Sequence, residues 1–494
     1  MATPTKPKRG ARIVAGSAKT AVDSAIYLDD RLPFARWLRP QLRKLFPSHW
    51  SFLLGELALY SFALLVLTGT FLTLFYKPNP DVAFASAAEI SLDVRGGLLL
   101  RQLHHWSATV FVLAIVAHLC RVFFTGAFRR PRELTWMLGV VLFGLVLFES
   151  FLGVSLPGDQ LAMAGLRQAQ GLLLSIPLVG TYLSAFAFDG EFPGQVLPRI
   201  FVTHVLLVPG ILMAVVPLHA LILTWRQKHT ERRSSRRESE GRANEERSGR
   251  DHEHERSGRD HEHERSGRDH EHERRSSRPD RVTGGPFFPY FAVKNGATAL
   301  FTVGAIAALA TFVRVNPVWE HGAYSPGGYV PSAQPFWYFG VLDGAQRLVP
   351  PWEITVGGYV LQPGLWIPPL ILTVFFGILL LYPFLERRLT GDGDDHHLLD
   401  RPSQAPVRTA LGVAVLAFFT VLWAGTWVSE AAPPMHSAPG FPQPPAAPHA
   451  LLTVPHDTYV MIVLGLRVAV FVVPVAAFLI ARAVCRGRAG QRGL

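Results

Sequence analysis

Residues 101–121 read RQLHHWSATVFVLAIVAHLCR, an apolar run with a histidine near each end and an arginine beyond each histidine. A helix of about 20 such residues rises about 30 Å, enough to cross a bilayer core. Ionisable side chains inside such a helix are costly, which makes them functional candidates by default. His104 and His118 are 14 residues apart. On a helix that is about 21 Å along the axis, within about 40° of one face. His105 is 13 residues from His118 and would point nearly the opposite way, so His104 is the better partner.

Residues 201–223 repeat the arrangement. His204 and His219 are 15 apart, within about 60° of one face. Pro209, Gly210 and Pro217 between them can adjust the helix. Two helices that each offer two stacked imidazoles make two paired sites at two depths. Bis-histidine haem b is the natural occupant, because zinc sites want three or four ligands close together. Small residues give an independent check. Gly55 and Gly69 lie 14 apart in one apolar run, and Gly139 and Gly153 lie 14 apart in another. A porphyrin packed against a helix needs such gaps, and these keep the histidine spacing. Arg101 and Arg121 stand three residues outside His104 and His118, where haem propionates would reach.

The rest of the chain agrees with a membrane setting. Charged residues are 17% of 494, against about 25% for an ordinary globular chain, and mean hydropathy is +0.23. Fibrous, collagenous and disulfide-scaffold classes are excluded, as is a soluble enzyme. The reading is an all-α polytopic membrane protein with eight spans, the first four forming a di-haem four-helix bundle. The spans are expected near Phe52–Phe75, Leu103–Phe123, Trp136–Gly153, Phe201–Leu223, Ala297–Phe312, Leu365–Leu385, Thr409–Trp427 and Tyr459–Ala481. Two cysteines, Cys120 and Cys485, give neither a CxxCH haem motif nor an iron–sulfur set.

The net charge of +11 follows topology rather than nucleic acid. Lys6, Lys8, Arg9, Arg129, Arg130, Arg132, Arg387, Arg388, Arg401, Arg408, Arg482, Arg486, Arg488 and Arg492 all fall on one side of an eight-span layout. That side is expected to be cytoplasmic, with both termini on it. No cleavable apolar leader is expected. The expected organisation is a basic segment (1–50), the haem bundle (51–226), a charged tether (227–285), a C-terminal four-span region (286–482) and a basic tail (483–494). The tether carries three copies of RSGRDHEHE, at Arg247–Glu255, Arg256–Glu264 and Arg265–Glu273. With no apolar face it is expected to be solvated and disordered. Its HxH pairs could bind zinc or nickel weakly, but low-complexity expansion is the simpler reading.

Several motifs together resemble the cytochrome b subunit of respiratory bc complexes, most closely the actinobacterial type. They are HWSFLLGELALYSF (His49–Phe62), R-x-x-H…H-x-x-R (Arg101–Arg121), GVSLPGDQ (Gly153–Gln160) and LLSIPLVGTYLS (Leu173–Ser184). GEFPG (Gly190–Gly194), PR…H…H (Pro198–His219) and YPFLERRLTGD…HHLLDRP (Tyr382–Pro402) complete them. The resemblance implies a quinol:cytochrome c oxidoreductase subunit in a bacterial plasma membrane, with two non-covalent b haems. His104 and His204 would ligate the outer haem iron, and His118 and His219 the inner one. It also implies a Rieske-type iron–sulfur protein and a cytochrome c subunit as partners, with a terminal oxidase as a further candidate, and a homodimer within the complex.

One departure stands out. The family carries a Pro-Glu-Trp-Tyr motif or an acidic variant at the outer quinol site. Here the quinone-site stretch is Pro335, Phe336, Trp337 and Tyr338, with a benzyl group where the proton-accepting carboxylate belongs. Glu149 and Asp343 are the candidate replacements. A divergent di-haem paralogue acting in assembly or one-sided quinone exchange is therefore the alternative function. A cation transporter with a His-rich loop is a weaker one, because its ligands should cluster at one depth.

Overall fold

The computed structural model describes residues 45–47, 49–226, 230–232, 282–317, 319–327, 335–396, 399–430 and 452–490. The RSGRDHEHE repeats with their HxH pairs lie outside the described residues, as do most of the basic N-terminal segment and residues 491–494.

Among the described residues, eight helices are long and apolar enough to cross a membrane: Trp50–Thr73, Gly97–Phe124, Glu133–Ser155, Val196–Ile222, Phe287–Phe312, Pro363–Thr390, Pro406–Gly425 and His456–Gly487. They are the first to eighth spans below. All eight start ahead of the expected bounds, by two residues at the first and sixth spans and by ten at the fifth. Pro198 and Pro289 sit in the opening turns of the fourth and fifth spans, where a missing N–H costs nothing.

The chain divides into two compact units. In the smaller, residues 1–49 and 230–297, three short strands form a sheet: β1 (Leu45–Pro47), β2 (Thr230–Arg232) and β3 (Val282–Pro286), in order β1-β3-β2. β1 runs antiparallel to β3 and β2 parallel to it. Phe46 stacks on Phe291, with ring centroids 4.6 Å apart. β2 and β3 fall at the two ends of the stretch read as a charged tether, the rest of which lies outside the described residues. Strands of three and five residues carry no periodic signal, and here non-local pairing decides.

The larger unit, residues 50–229 and 298–494, holds the bundle. Phe62, Phe111, Val112, Val146, Leu152, Leu197, Val208 and Leu212 from the first four spans form its main buried core. The outer faces of the spans stay apolar and exposed, as at Leu67, Leu113, Val141 and Phe471, the pattern of helices that face lipid. Trp136 joins the third span to the sixth by donating to the Leu379 carbonyl at 2.7 Å.

At one end of the second span, Gln102 trades two 2.9 Å hydrogen bonds with the backbone of Val315. Arg101 donates to the Asn316 carbonyl at 2.8 Å. At the other end, Arg129 and Arg408 both bind Asp400 Oδ2 at 2.6 Å, and Arg408 also pairs with Glu386 at 3.2 Å. The charged motif at Tyr382–Pro402 is thus a clamp between the third-span entry and the sixth and seventh spans. Arg132, buried beside Arg129, is pushed down to about 10 by burial and that neighbouring charge.

Candidate functional site: two stacked histidine layers

The four histidines and four glycines meet one to one. A Cβ built on Gly69 would stand 3.1 Å from His104 Cε1, and one on Gly153 only 2.7 Å from His204 Cε1. A Cβ on Gly55 would stand 3.3 Å from His118 Cε1, and one on Gly139 3.3 Å from His219 Cε1. The glycines therefore make room for the imidazoles at the positions that sequence reasoning gave to haem packing. First- and third-span glycines receive rings from the second and fourth spans, in two layers one repeat apart.

A departure from α-helix geometry brings the fourth span into step. Residues Thr203–Leu207, which include His204, form a π-turn, with Val208 N–H donating to Thr203 O. A π-turn absorbs one extra residue, so 15 residues span the rotation that 14 give in the regular second span. Pro209 follows at once, and its missing N–H frees a carbonyl of the preceding turn from the i→i−4 ladder.

The His104 and His204 ring centroids are 6.3 Å apart, with the rings at 81°. Two metal–nitrogen bonds of about 2 Å, plus a ring radius at each end, make a separation of about 6 Å, so the pair fits a single iron between them. Tautomer chemistry agrees at His104. Thr68 Oγ1 donates to the Leu64 carbonyl at 2.7 Å, so toward His104 Nδ1, 3.0 Å away, it accepts. Nδ1 then carries the hydrogen and Nε2 keeps the lone pair a metal needs. His204 Nδ1 lies 2.9 Å from Glu149 Oε1. Among the described residues no group of three or more His, Cys, Asp or Glu could hold a metal, which leaves imidazole pairs as the candidate ligands.

The arginines fit anionic groups at both levels. Arg121 sits 3.7 Å over the Phe52 ring, with Nε and Nη2 buried and unpartnered. Arg101 is 5% exposed and its Nη1 is likewise buried without a partner. A buried guanidinium with open N–H groups is expensive unless an anion completes it. Asp159, in the GVSLPGDQ motif, caps the next helix by accepting from Ala162 N–H at 2.8 Å. Burial raises its carboxyl above the usual range, and Arg101 acts against that.

The stretch Pro335–Tyr338 is a wall of rings. Phe336 stacks against His105, with centroids 5.9 Å apart and planes 5° apart, and against Tyr338 at 5.6 Å. His105 thus packs on Phe336, as its helical phase suggests. Burial pushes the Tyr338 hydroxyl above its ordinary range. The Trp337 carbonyl accepts from Trp423 Nε1 at 2.9 Å. Of the two candidate acids, Asp343 is held by Arg347 at 2.7 Å and by the Thr426 hydroxyl. Glu149 stands beside His204, and its second oxygen is buried and unpartnered. Thr68 is the contact sequence reasoning missed; its one signal is a hydroxyl directly before a ligand-facing glycine.

This is a polytopic membrane protein with paired imidazoles at two depths of one helical bundle. Residues 109–323 match the family model described as cytochrome b(N-terminal)/b6/petB. The cytochrome bc1 complex cytochrome b subunit of Streptomyces coelicolor is 36% identical, over 96% of this chain and 79% of the relative. That of Mycobacterium tuberculosis H37Rv is 40% identical, over 80% of this chain and 68% of the relative. The chain belongs to the cytochrome b subunits of bacterial cytochrome bc1 complexes. A solved structure titled hyperthermophilic respiratory Complex III shares the fold, with TM-score 0.58 and 21% identity over 92% of this chain and 99% of that one.

Proposed function

We propose that the chain is the electron-carrying subunit of a quinol:cytochrome c oxidoreductase, with His104 and His204 holding one b haem and His118 and His219 the other. The observation that carries this reading is the His104–His204 pair, 6.3 Å apart, in a bundle where each of the four imidazoles has its own glycine. When bound, the haems supply two one-electron iron couples at different depths. The protein holds the ligand rings in register and offers Arg101 and Arg121 to the propionates. The stacked layers then give an electron a short path across the membrane, from quinol oxidation at the outer side to quinone reduction at the inner side. The basic ends and loops favour both termini in the cytoplasm.

Glu149 is the better candidate for taking the quinol proton. Its Oε2 is buried without a partner, whereas Asp343 is committed to Arg347 and Thr426. Pro335–Tyr338 supplies the aromatic wall against which a quinol ring would lie. A Rieske-type iron–sulfur protein would take the first electron and a cytochrome c subunit would carry it on. One observation favours the second reading, a paralogue slow in quinol oxidation: Phe336 is packed between His105 and Tyr338 and offers no proton acceptor. Steady-state quinol:cytochrome c turnover of the purified complex decides between them. Rapid, inhibitor-sensitive turnover supports the first reading, and turnover at background with both haems present supports the second.

A further inference from the structure

The two layers differ on the side of each imidazole that faces away from the metal. In the outer layer both Nδ1 atoms have an oxygen within reach, Thr68 Oγ1 for His104 and Glu149 Oε1 for His204. In the inner layer Nδ1 of His118 and Nδ1 of His219, like His204 Nδ1, are buried without a full hydrogen bond, and what lies beside His219 is the backbone of Thr135 rather than a carboxylate. The 14-residue repeat makes the difference readable position by position. Glu149 precedes Gly153 by four residues, and the residue four before Gly139 is Thr135. Thr68 directly precedes Gly69, and the residue before Gly55 is Leu54. The inner layer thus has the glycines but lacks the carboxylate.

Residues four apart share a helix face one turn from each other. On the third span Gly153 therefore receives the His204 ring while Glu149 reaches its Nδ1 from the next turn. Glu149 is itself largely buried, with a side chain 16% exposed. A carboxylate inside a membrane span is expensive to keep. Among the described residues the imidazole is its one close polar contact, and that contact is off the line of a full hydrogen bond, so its strength depends on the ring angle.

We propose that Glu149 is a positioning residue for His204 that biases the outer haem toward its oxidised form. A carboxylate at Nδ1 fixes the ring's rotation and makes Nε2 a stronger donor, and its negative charge favours the more positive iron. Both effects lower the reduction potential, and second-shell hydrogen bonding is one of the protein's levers on a haem. This inference rests on the di-haem reading above.

The test is an optical redox titration of the purified complex carrying Glu149→Gln, Glu149→Asp or Thr135→Glu, beside the native protein. In Glu149→Gln the outer haem should favour its oxidised form about tenfold less, a rise of about 59 mV for one electron, while the inner haem stays put. Glu149→Asp, which keeps the carboxylate, should recover part of the native value. Thr135→Glu, which places a carboxylate at the matching inner position, should lower the inner haem alone. An unchanged outer potential in Glu149→Gln, or equal shifts of both haems, overturns the inference. If Glu149→Gln loses the outer haem, Thr135→Glu decides: a fall confined to the inner haem supports the inference, and an unmoved inner potential overturns it. A native titration without two one-electron waves, one of them absent in His204→Ala, would refute the di-haem reading itself.

Discussion

Replacing Gly153 by alanine puts a methyl carbon 2.7 Å from His204 Cε1 and 3.2 Å from Nε2, the atom that must face the metal. Carbon atoms settle at about 3.5 Å or more, so the ring or the helix has to retreat by roughly 0.8 Å. The same substitution at Gly69 starts from 3.1 Å and asks for about 0.4 Å. At Gly55 and Gly139 it starts from 3.3 Å and asks for about 0.2 Å. Overpacking costs about 1–3 kcal/mol, and about 1.4 kcal/mol is tenfold in an equilibrium constant. Gly153→Ala should therefore hold its haem roughly 5- to 150-fold more weakly, with Gly69→Ala at the low end and the other two nearly silent. Haem content of each purified variant, with reduced-minus-oxidised spectra to show which haem is depleted, reads this directly. Gly153 and Gly69 should deplete the same haem. If Gly55→Ala lost more haem than Gly153→Ala, or Gly153→Ala emptied the site that His118→Ala empties, the one-to-one pairing would be wrong.

Phe336→Glu should raise quinol:cytochrome c turnover if the acid is simply missing, toward the ~10²–10⁴-fold that a positioned base contributes. Glu149→Gln should lower it if Glu149 has taken over, and the two variants measured side by side separate the cases. Asp400→Asn removes the carboxylate that Arg129 and Arg408 share and leaves Arg408, 4% exposed, with Glu386 as its remaining acid. A loss of several kcal/mol is expected, read as a lower thermal midpoint in detergent; an unchanged midpoint would count against the clamp. Deleting Arg247–Glu273 should leave haem content and turnover within about twofold, since nothing in the repeat can bury an apolar face. A large haem loss in that deletion would contradict the tether reading.

The eight spans were legible because helical period and hydropathy are local signals, and the same period accounts for His104 facing His204 while His105 packs on Phe336. The glycine spacing was legible as a match to the histidines, but its target was not. Spacing alone cannot say whether a gap admits a porphyrin or an imidazole, and the structure puts each glycine against a ring. The 15-residue interval between His204 and His219 was a phase discrepancy in the sequence. A π-turn at Thr203–Leu207 accounts for it; Pro209 and Gly210 signalled that the helix could adjust there, but not by which turn. Contacts between distant segments were illegible altogether. Thr68 meets His104, Phe336 packs on His105, and Asp343 is drawn off by Thr426, all through tertiary packing that propensity does not encode. The short sheet at Leu45–Pro47 and Val282–Pro286 escaped for the same reason.

The central claim is that His104 with His204, and His118 with His219, hold two b haems. Pyridine haemochrome assay of the purified complex, with the signal assigned to this chain, counts them in the native protein and in the four histidine-to-alanine variants. The account predicts two haems per chain, one remaining in each variant, and the same one remaining for the two members of a pair, with His105→Ala keeping both. Fewer than two haems in the native chain, or loss of the outer haem on replacing His105 rather than His104, would contradict it.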